Sequence, residues 1–329
     1  MTRTGLWHCV DNVPMHIVLS HALPDGTNCK ALLTRPEFPA LPHLHKLFTL
    51  LACSDVVHGK PSDLTPVHER LAYAHLHAAD GLLPLGALAA RAAGLDGAAA
   101  WGLLTLCHLQ AQSDHVAMRE PDELALEALE SDALVQAMHA YFLEDGLRLH
   151  PQRPGQWLVC GESLRDVPTA SLDRVRGQAV DAWMPQGERA RPLRRLQNEM
   201  QMLLYTHPVN DSRAERGLTT VNAFWLSGTG SLPPNIPGNR TATLLLTELR
   251  DSGLRDDAWA WAQAWAALDA ALGARWLAQA QEDAAFCISL CGSQQAHSYT
   301  SQAARTQGWL ARARQAWSPT PFPERLRLS

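Results

Sequence analysis

Apolar and polar positions along the chain change period several times, and each change marks an element. The run at 15–20 is short and apolar and ends in the turn Pro24-Asp25-Gly26, which predicts a buried strand. Leu44, Leu47, Phe48 and Leu51 recur at helical spacing and predict a helix over 41–51. Ser62 or Asp63 can cap a second helix over 62–79, where Leu64, Val67, Leu71, Ala74 and Leu76 recur near a 3.6 period. Residues 85–93 and 98–104 read as short alanine-rich helices.

The middle of the chain reads differently. Residues 105–110 and 115–118 read as strands, 128–144 as a helix ending at Asp145-Gly146, and 147–150 with 157–160 as a hairpin-like pair. Residues 161–195 are polar and rich in Arg and Pro, a connection with a short helix at 171–176. Leu196, Met200, Leu203 and Leu204 share one face of a helix over 193–205, which Pro208 stops. A strand over 221–226 runs into Gly228-Thr229-Gly230, and a proline-rich loop follows to 239. A strand and short helix fit 241–252. The longest helix covers 256–281, with Trp261, Trp265, Leu268, Leu272 and Trp276 as its buried stripe. A last strand at 285–290 and a last helix at 301–317 complete the pattern, and the tail after Pro319 reads as peripheral.

Strand and helix alternate at both ends, with a mixed segment between. This predicts an α/β fold: a mixed or mostly parallel sheet flanked by helices, with a small α+β insert. The expected division is an α/β core of 1–94 and 196–329, an insert of 95–165 and a connection of 166–195. The strands at 15–20, 221–226 and 285–290 are expected in one sheet.

Composition narrows the function classes. Hydrophobic residues make up 46% of the 329 and charged residues 19%, enough for a sizeable core and against disorder as the main state. A net charge of -5 provides no strong field for nucleic acid or an anionic membrane. Only three of the 28 Lys and Arg residues are Lys, which fits the codon bias of a GC-rich genome. No apolar run is long enough to span a bilayer, and residues 1–14 lack the pattern of a signal peptide. Seven cysteines without framework spacing point to reduced thiols in a cytoplasm. Cys287 and Cys291 fall on one face of a strand, more readily a buried apolar strand than a metal pair.

The candidate chemistry lies in residues 196–237. His207-Pro208 ends a helix, Asn210 is placed to cap a short helical turn over 211–216, and Gly217 closes it. A strand then delivers Asn222 and Trp225 toward Gly228 and Gly230. His207, Asn210, Arg213, Asn222, Gly228 and Gly230 are the ligand-binding candidates, expected to converge near the Gly-x-Gly loop. A purely structural clamp explains the same residues.

His-Pro-Val-Asn at 207–210, Arg213, Gly217 and Val-Asn-x-x-Trp-Leu-x-Gly-x-Gly at 221–230 resemble a stretch of the archaeal-type cofactor-independent phosphoglycerate mutases, in the alkaline phosphatase superfamily. The strand at 16–20, Thr34-Arg35-Pro36 and Leu41-Pro42-His43-Leu44-His45-Lys46-Leu47 resemble that family's opening. Phe142-x-x-Asp145-Gly146-Leu147 with Trp157 is similar to RpfE-type bacterial regulatory proteins. The resemblance implies an alkaline-phosphatase-like fold, and for an active member two divalent metals with a Ser or Thr nucleophile. The family's Asp-Gly after the first strand is replaced here by Ser20-His21, and its late Asp-His by Cys291-Gly292-Ser293-Gln294. The expectation is therefore a degenerate member, a regulatory or binding protein without a metal or other cofactor. Its partner would be another protein or a small phosphorylated ligand. The alternative is a phosphomutase or phosphoesterase dependent on Mn or Zn.

Other polar groups have ordinary explanations. His43, His45, His68, His75 and His77 lack a metal-binding motif. Arg189, Arg191, Arg194 and Arg195 could grip a phosphate but read more simply as solvated charge. The tryptophans from Trp259 to Trp276 read as core rather than as a platform for bases.

Overall fold

The computed structural model describes residues 15–235, 242–282, 285–306 and 322–327. In chain order the elements are β1 (Met15–Leu19), α1 (Thr27–Leu32), α2 (Pro42–Thr49), β2 (Ala52–His58), α3 (Val67–Ala72), α4 (Leu85–Ala92), β3 (Trp101–Cys107), β4 (Leu109–Ala111), β5 (Val116–Met118) and α5 (Ala128–Glu144). There follow β6 (Arg148–Arg153), β7 (Gln156–Cys160), α6 (Leu172–Val175), α7 (Arg191–Tyr205), α8 (Pro208–Glu215), β8 (Ala223–Gly230), β9 (Ala242–Leu246) and α9 (Arg250–Leu254). The last are α10 (Ala258–Leu268), α11 (Ala274–Glu282), β10 (Cys287–Cys291), β11 (Gln295–Thr300), α12 (Ser301–Thr306) and α13 (Phe322–Arg325). The chain forms two compact units, one of 1–59, 67–72 and 238–329, the other of 60–66 and 73–237.

The first unit is α/β. Its sheet runs β2-β11-β10-β1-β9. β1 pairs in parallel with both β9 and β10, while β11 runs antiparallel to β10 and β2. The sheet is therefore mixed and partly parallel, as expected. The parallel order forces a crossover from β9 to β10, supplied by α10 and α11. Ile17, Leu19, Ile288 and Leu290 pack on one face with Trp261, Trp265 and Trp276, so the tryptophan stripe is core. The opposite face mixes buried Val18 and Cys291 with a polar chain, in which His16 Nε2 lies 2.7 Å from Ser289 Oγ, which lies 2.7 Å from Ser298 Oγ.

The long helix expected over 256–281 is interrupted. Asp269–Gly273 form a π-helical turn between α10 and α11. The extra residue in that turn brings the Asp269 carboxylate to the start of α2. There it accepts from Leu44 N at 2.7 Å and lies 3.1 Å from His43 Nδ1. A residue from a distant helix thus does the work of an N-cap, which Leu41 cannot do. Gly273 is needed there, since a Cβ would meet His43 Cβ at 2.7 Å.

The second unit is an antiparallel sheet in the order β6-β7-β3-β8, with a separate hairpin of β4 and β5. α5 and α7 cover one face through Leu134, Met138, Phe142, Leu196 and Met200. α4 lies on the other face with Trp101 and Leu158. Gly86 at the start of α4 approaches so closely that a Cβ would meet the Gly102 backbone at 2.6 Å.

The structure corrects several expectations. Residues 98–104 are not a helix: Trp101–Cys107 form the central strand β3, whose apolar run is continuous because both faces are covered. The strands expected at 105–110 and 115–118 reduce to the end of β3 and the β4–β5 hairpin. The helix over 62–79 shortens to α3 and a 3-10 turn at Ala74–Leu76 that ends at left-handed His77. The strand near 221–226 pairs with β3 instead of joining β1 and β10. It therefore draws 166–195 and 196–237 into the second unit, which extends well past the insert of 95–165 read from the sequence. β2 and β11 had no counterpart in the sequence reading. The tail after Pro319 is not peripheral, for Phe322 and Leu326 are buried in the tryptophan core. Of the expected helix 301–317, residues 301–306 are helical and the rest lies outside the described residues. No helix among the described residues is long and apolar enough to cross a membrane.

Candidate functional site

Residues 204–222 of the motif fold into a tightly bonded corner of the second unit. α7 ends at Tyr205 and α8 starts with Pro208 at its first position, which needs no N–H donor. His207, not Asn210, is the cap: its Nδ1 accepts from Val209 N at 3.2 Å. Burial holds the His207 imidazole below its usual pKa, opposed by the nearby Asp211 charge.

Asn210 lies inside α8 and is buried. Its Nδ2 donates to Leu204 O at 2.7 Å and to Val221 O at 2.6 Å, and its Oδ1 accepts from Val221 N at 2.8 Å. Arg213 is fully buried. Nε donates to Thr219 O at 2.8 Å, Nη1 to Glu130 Oε2 at 2.5 Å, and Nη2 to Leu124 O. Burial works against ionisation of Glu130. The Glu127 N–H and the charges of Arg213 and Arg216 outweigh it, and hold the carboxyl below its ordinary range. Gly217 closes α8 with φ +70, while Leu218 N bonds back to Arg213 O at 2.9 Å.

Asn222 acts as an extra rung of sheet. Its Oδ1 accepts from Leu109 N at 2.7 Å and its Nδ2 donates to Leu109 O at 2.8 Å. Trp225 is core, its indole N–H bonded to Ala170 O at 3.0 Å. Gly228 and Gly230 are elsewhere. At about 3.3 Å per residue, Gly228 is about 20 Å along the strand from Asn222. There its φ of +62 and missing Cβ admit Leu85 of α4. The structure thus brings His207, Asn210, Arg213 and Asn222 to one corner and leaves the glycines at the far end of β8. The expected convergence on the Gly-x-Gly loop does not occur, because an extended strand separates its parts.

A second group of chemical side chains stands in the first unit, at the carboxyl end of β1, where open α/β sheets place their ligands. Ser20 Oγ donates to Leu246 O at 3.2 Å. His21 follows with φ +54, an uncommon conformation for a residue other than glycine. Its carbonyl accepts from Trp261 Nε1 at 2.9 Å. Gly253 of α9 lies against it, where a Cβ would come within 2.9 Å of His21 Cβ. The His21 ring is 5.5 Å from that of His68 on α3, and both are buried. His68 and its neighbour Glu69 present ligand atoms within 4.8 Å of each other. An imidazole and a carboxylate are donor types that zinc accepts. The same side chains can also move protons. Sequence spacing hid this group, because His21 and His68 are brought together only by α3 packing on β1. The one signal was Ser20-His21 following the first strand.

At the same end Asp25 accepts from Ser293 N at 3.0 Å, which ties the loop after β1 to the β10–β11 turn. Asp256 caps α1 through Asn28 N and Cys29 N, both at 2.9 Å. Burial opposes its ionisation, but those N–H groups hold its carboxyl below the usual range.

The remaining candidates are engaged otherwise. Arg189 pairs with Asp166, Arg194 donates to Pro185 O, and Arg195 pairs with Asp145. Cys287 and Cys291 flank Ser289 on the face of the sheet away from the tryptophans. Burial raises both thiols, Cys287 to about 11.

No protein-family model matches the sequence, and no curated protein matches it. Among solved structures, the chain is similar to the cofactor-independent phosphoglycerate mutase from Thermoplasma acidophilum DSM 1728, at 13% identity and a TM-score of 0.36, over 88% of this chain and 90% of that one. It is also similar to the PH0037 protein from Pyrococcus horikoshii, at 12% identity and a TM-score of 0.41, over 88% and 87%.

Proposed function

We propose that this protein is a cytoplasmic regulatory or binding protein, a non-catalytic relative of the cofactor-independent phosphoglycerate mutases. The observation that carries this reading is the chemistry at the carboxyl ends of β1 and β10. Two bridged metal ions need several carboxylates and imidazoles around a nucleophile. Ser20-His21 follows β1 and Gly292-Ser293 follows β10, so neither position supplies the carboxylate that the resemblance calls for. In the second unit Arg213, one of the ligand-binding candidates, spends its donors on Thr219, Glu130 and Leu124. The resemblance to RpfE-type proteins supplies the regulatory part of the reading. The partner is another protein or a small phosphorylated ligand.

Elemental analysis of purified protein, beside an assay of 3-phosphoglycerate with added manganese, tests the reading. The expected result is no stoichiometric pair of divalent ions and no turnover. Two ions per chain with manganese-dependent mutase activity would overturn it.

One observation favours a second reading. His68 and Glu69 bring ligand atoms within 4.8 Å of each other, with the His21 ring 5.5 Å from that of His68, and an ion held there would make the protein a phosphoesterase acting on a small phosphate ester. Zinc titration of the wild type against His21→Ala and His68→Ala, with p-nitrophenyl phosphate hydrolysis as the activity, decides it. Tight binding and turnover, both lost in the two variants, would establish the esterase.

A further inference from the structure

Helix α5 turns only one of its faces to the core of the second unit. It runs 17 residues, about 25 Å, from a capping box of Glu127 and Glu130. It closes at Gly146, whose φ of +69 lets Leu147 N bond back to Phe142 O at 2.8 Å. Ser131, Leu134, Met138 and Phe142 face inward. On a surface helix the opposite side is ordinarily polar. Here Leu129, Ala133, Gln136, Ala140 and Leu143 fall on it, four, three, four and three residues apart. That is the spacing of a coiled-coil seam. Leu129 is 81% exposed and Leu143 46%, with Gln136 and Ala140 exposed between them and Ala133 half-buried. On the neighbouring α7, Met202 and Tyr205 are also exposed and widen the apolar area. Apolar surface gathered in this way marks a contact.

The seam carries no charge, which offers nothing to an acidic or a basic partner, but it matches itself. Its pattern reads the same in both directions about Gln136. Two antiparallel copies on a two-fold axis through that residue set Leu129 against Leu143 of the second copy, Ala133 against its Ala140, and Gln136 against Gln136. The alanines let the helices approach closely, and the leucines close both ends. The two carboxamides can bond to each other, since each carries donors and an acceptor. The flanks agree with this arrangement. Asp132 and His139 are exposed on one of them. The antiparallel pair brings Asp132 beside His139 of the second copy, a carboxylate beside an imidazole, and does so twice. On the other flank Ala137 meets Ala137. Glu144 nears Glu130 of the second copy, whose charge Arg213 and Arg216 already meet. A parallel pair would leave Asp132 opposite Ala137 and run the two helix dipoles side by side in the same sense. We propose that this face of α5 binds a second copy of the chain, in an antiparallel two-fold pair centred on Gln136. One helix pair of this length is a small interface, so monomer and dimer exchange at micromolar concentrations. The pairing uses none of the residues at the carboxyl end of β1 and is independent of any turnover there.

Sedimentation equilibrium of the full chain between about 1 and 200 µM tests it. The weight-average mass should rise with concentration toward that of a dimer. Gln136→Glu sets two like charges on the axis, and Ala140→Glu puts a charge in the seam. Each should weaken the dimer at least about tenfold. Both residues are exposed, so the melting curve of the dilute monomer should not move. Should one variant fail to fold, the other decides with the following pair. With Cys9 and the exposed Cys53 changed to Ser, Gln136→Cys should form a disulfide-linked dimer under mild oxidation. Leu129→Cys should not, because the two copies of that position lie about 21 Å apart along the helices. A chain that stays monomeric at the highest concentration overturns the proposal and leaves the face to a different protein. A dimer that the glutamate variants leave intact, or cross-linking through Leu129→Cys, overturns it as well.

Discussion

Arg213 and Glu130 form an ion pair at 2.5 Å in which the guanidinium has no exposure and the carboxylate side chain 11%. A pair this buried is worth little against an apolar replacement of both partners, but breaking it is costly. Arg213→Ala strands Glu130 and the carbonyls of Thr219 and Leu124. It is expected to lower stability by about 3 to 5 kcal/mol, read by urea unfolding. Arg189→Ala, at an exposed pair, should stay within about 0.5 kcal/mol. If the two variants unfold alike, the corner is not the clamp described.

Acid should destabilise the fold through its histidines. Burial depresses the pKa of His16, and likewise of His150 and His297. The unfolded chain takes up protons at about pH 6.5, the folded chain only at lower pH. Stability is therefore complete above about pH 6.5 and falls as pH drops below it, by up to about 1.4 kcal/mol per unit for each histidine. Melting temperatures at pH 7.5, 6.5 and 5.5 should show the decline, and His16→Gln should flatten it.

Asp269 serves α2 from another helix, so its loss should be felt there. Asp269→Ala removes the acceptor for Leu44 N and should cost about 0.5 to 2 kcal/mol. Hydrogen exchange should accelerate at Leu44 before it does in β1.

The segment Phe322–Arg325 is four residues long, yet Phe322 packs on Phe48 at 4.7 Å and Trp265 at 5.3 Å between ring centroids. Phe322→Ala should cost about 3 to 5 kcal/mol. A melting curve indistinguishable from wild type would show that the segment is dispensable.

Long amphipathic elements were legible in the sequence: α5 matches at 128–144, and α7 and the tryptophan helix within a few residues. The class of the first sheet was legible too, from apolar strands alternating with helices. Pairing was not. Nothing local tells residues 223–230 to join β3 instead of β1, because that choice depends on which faces remain uncovered after folding. β3 itself was misread since a short apolar run buried on both faces has no period. β2 escaped notice because it is an exposed edge strand with the burial of a loop. In the motif the residue types were right, but amide and guanidinium groups serve backbone clamps as readily as ligands, and sequence cannot tell which.

The placement of Phe322 and Leu326 among the tryptophans also sets an order of events during synthesis. Residues 73–237 contain every strand of the second unit and leave the ribosome as one uninterrupted stretch. β1 emerges before them but finds both its neighbours, β9 and β10, only after residue 242, and its core is closed by residues 322–327. The middle of the protein can thus fold while translation continues. β1 waits, apolar and unpaired, until β9 and β10 have been made. A nascent chain arrested near residue 300 would carry a finished second unit and an unfinished first one, and would be a natural client for a chaperone.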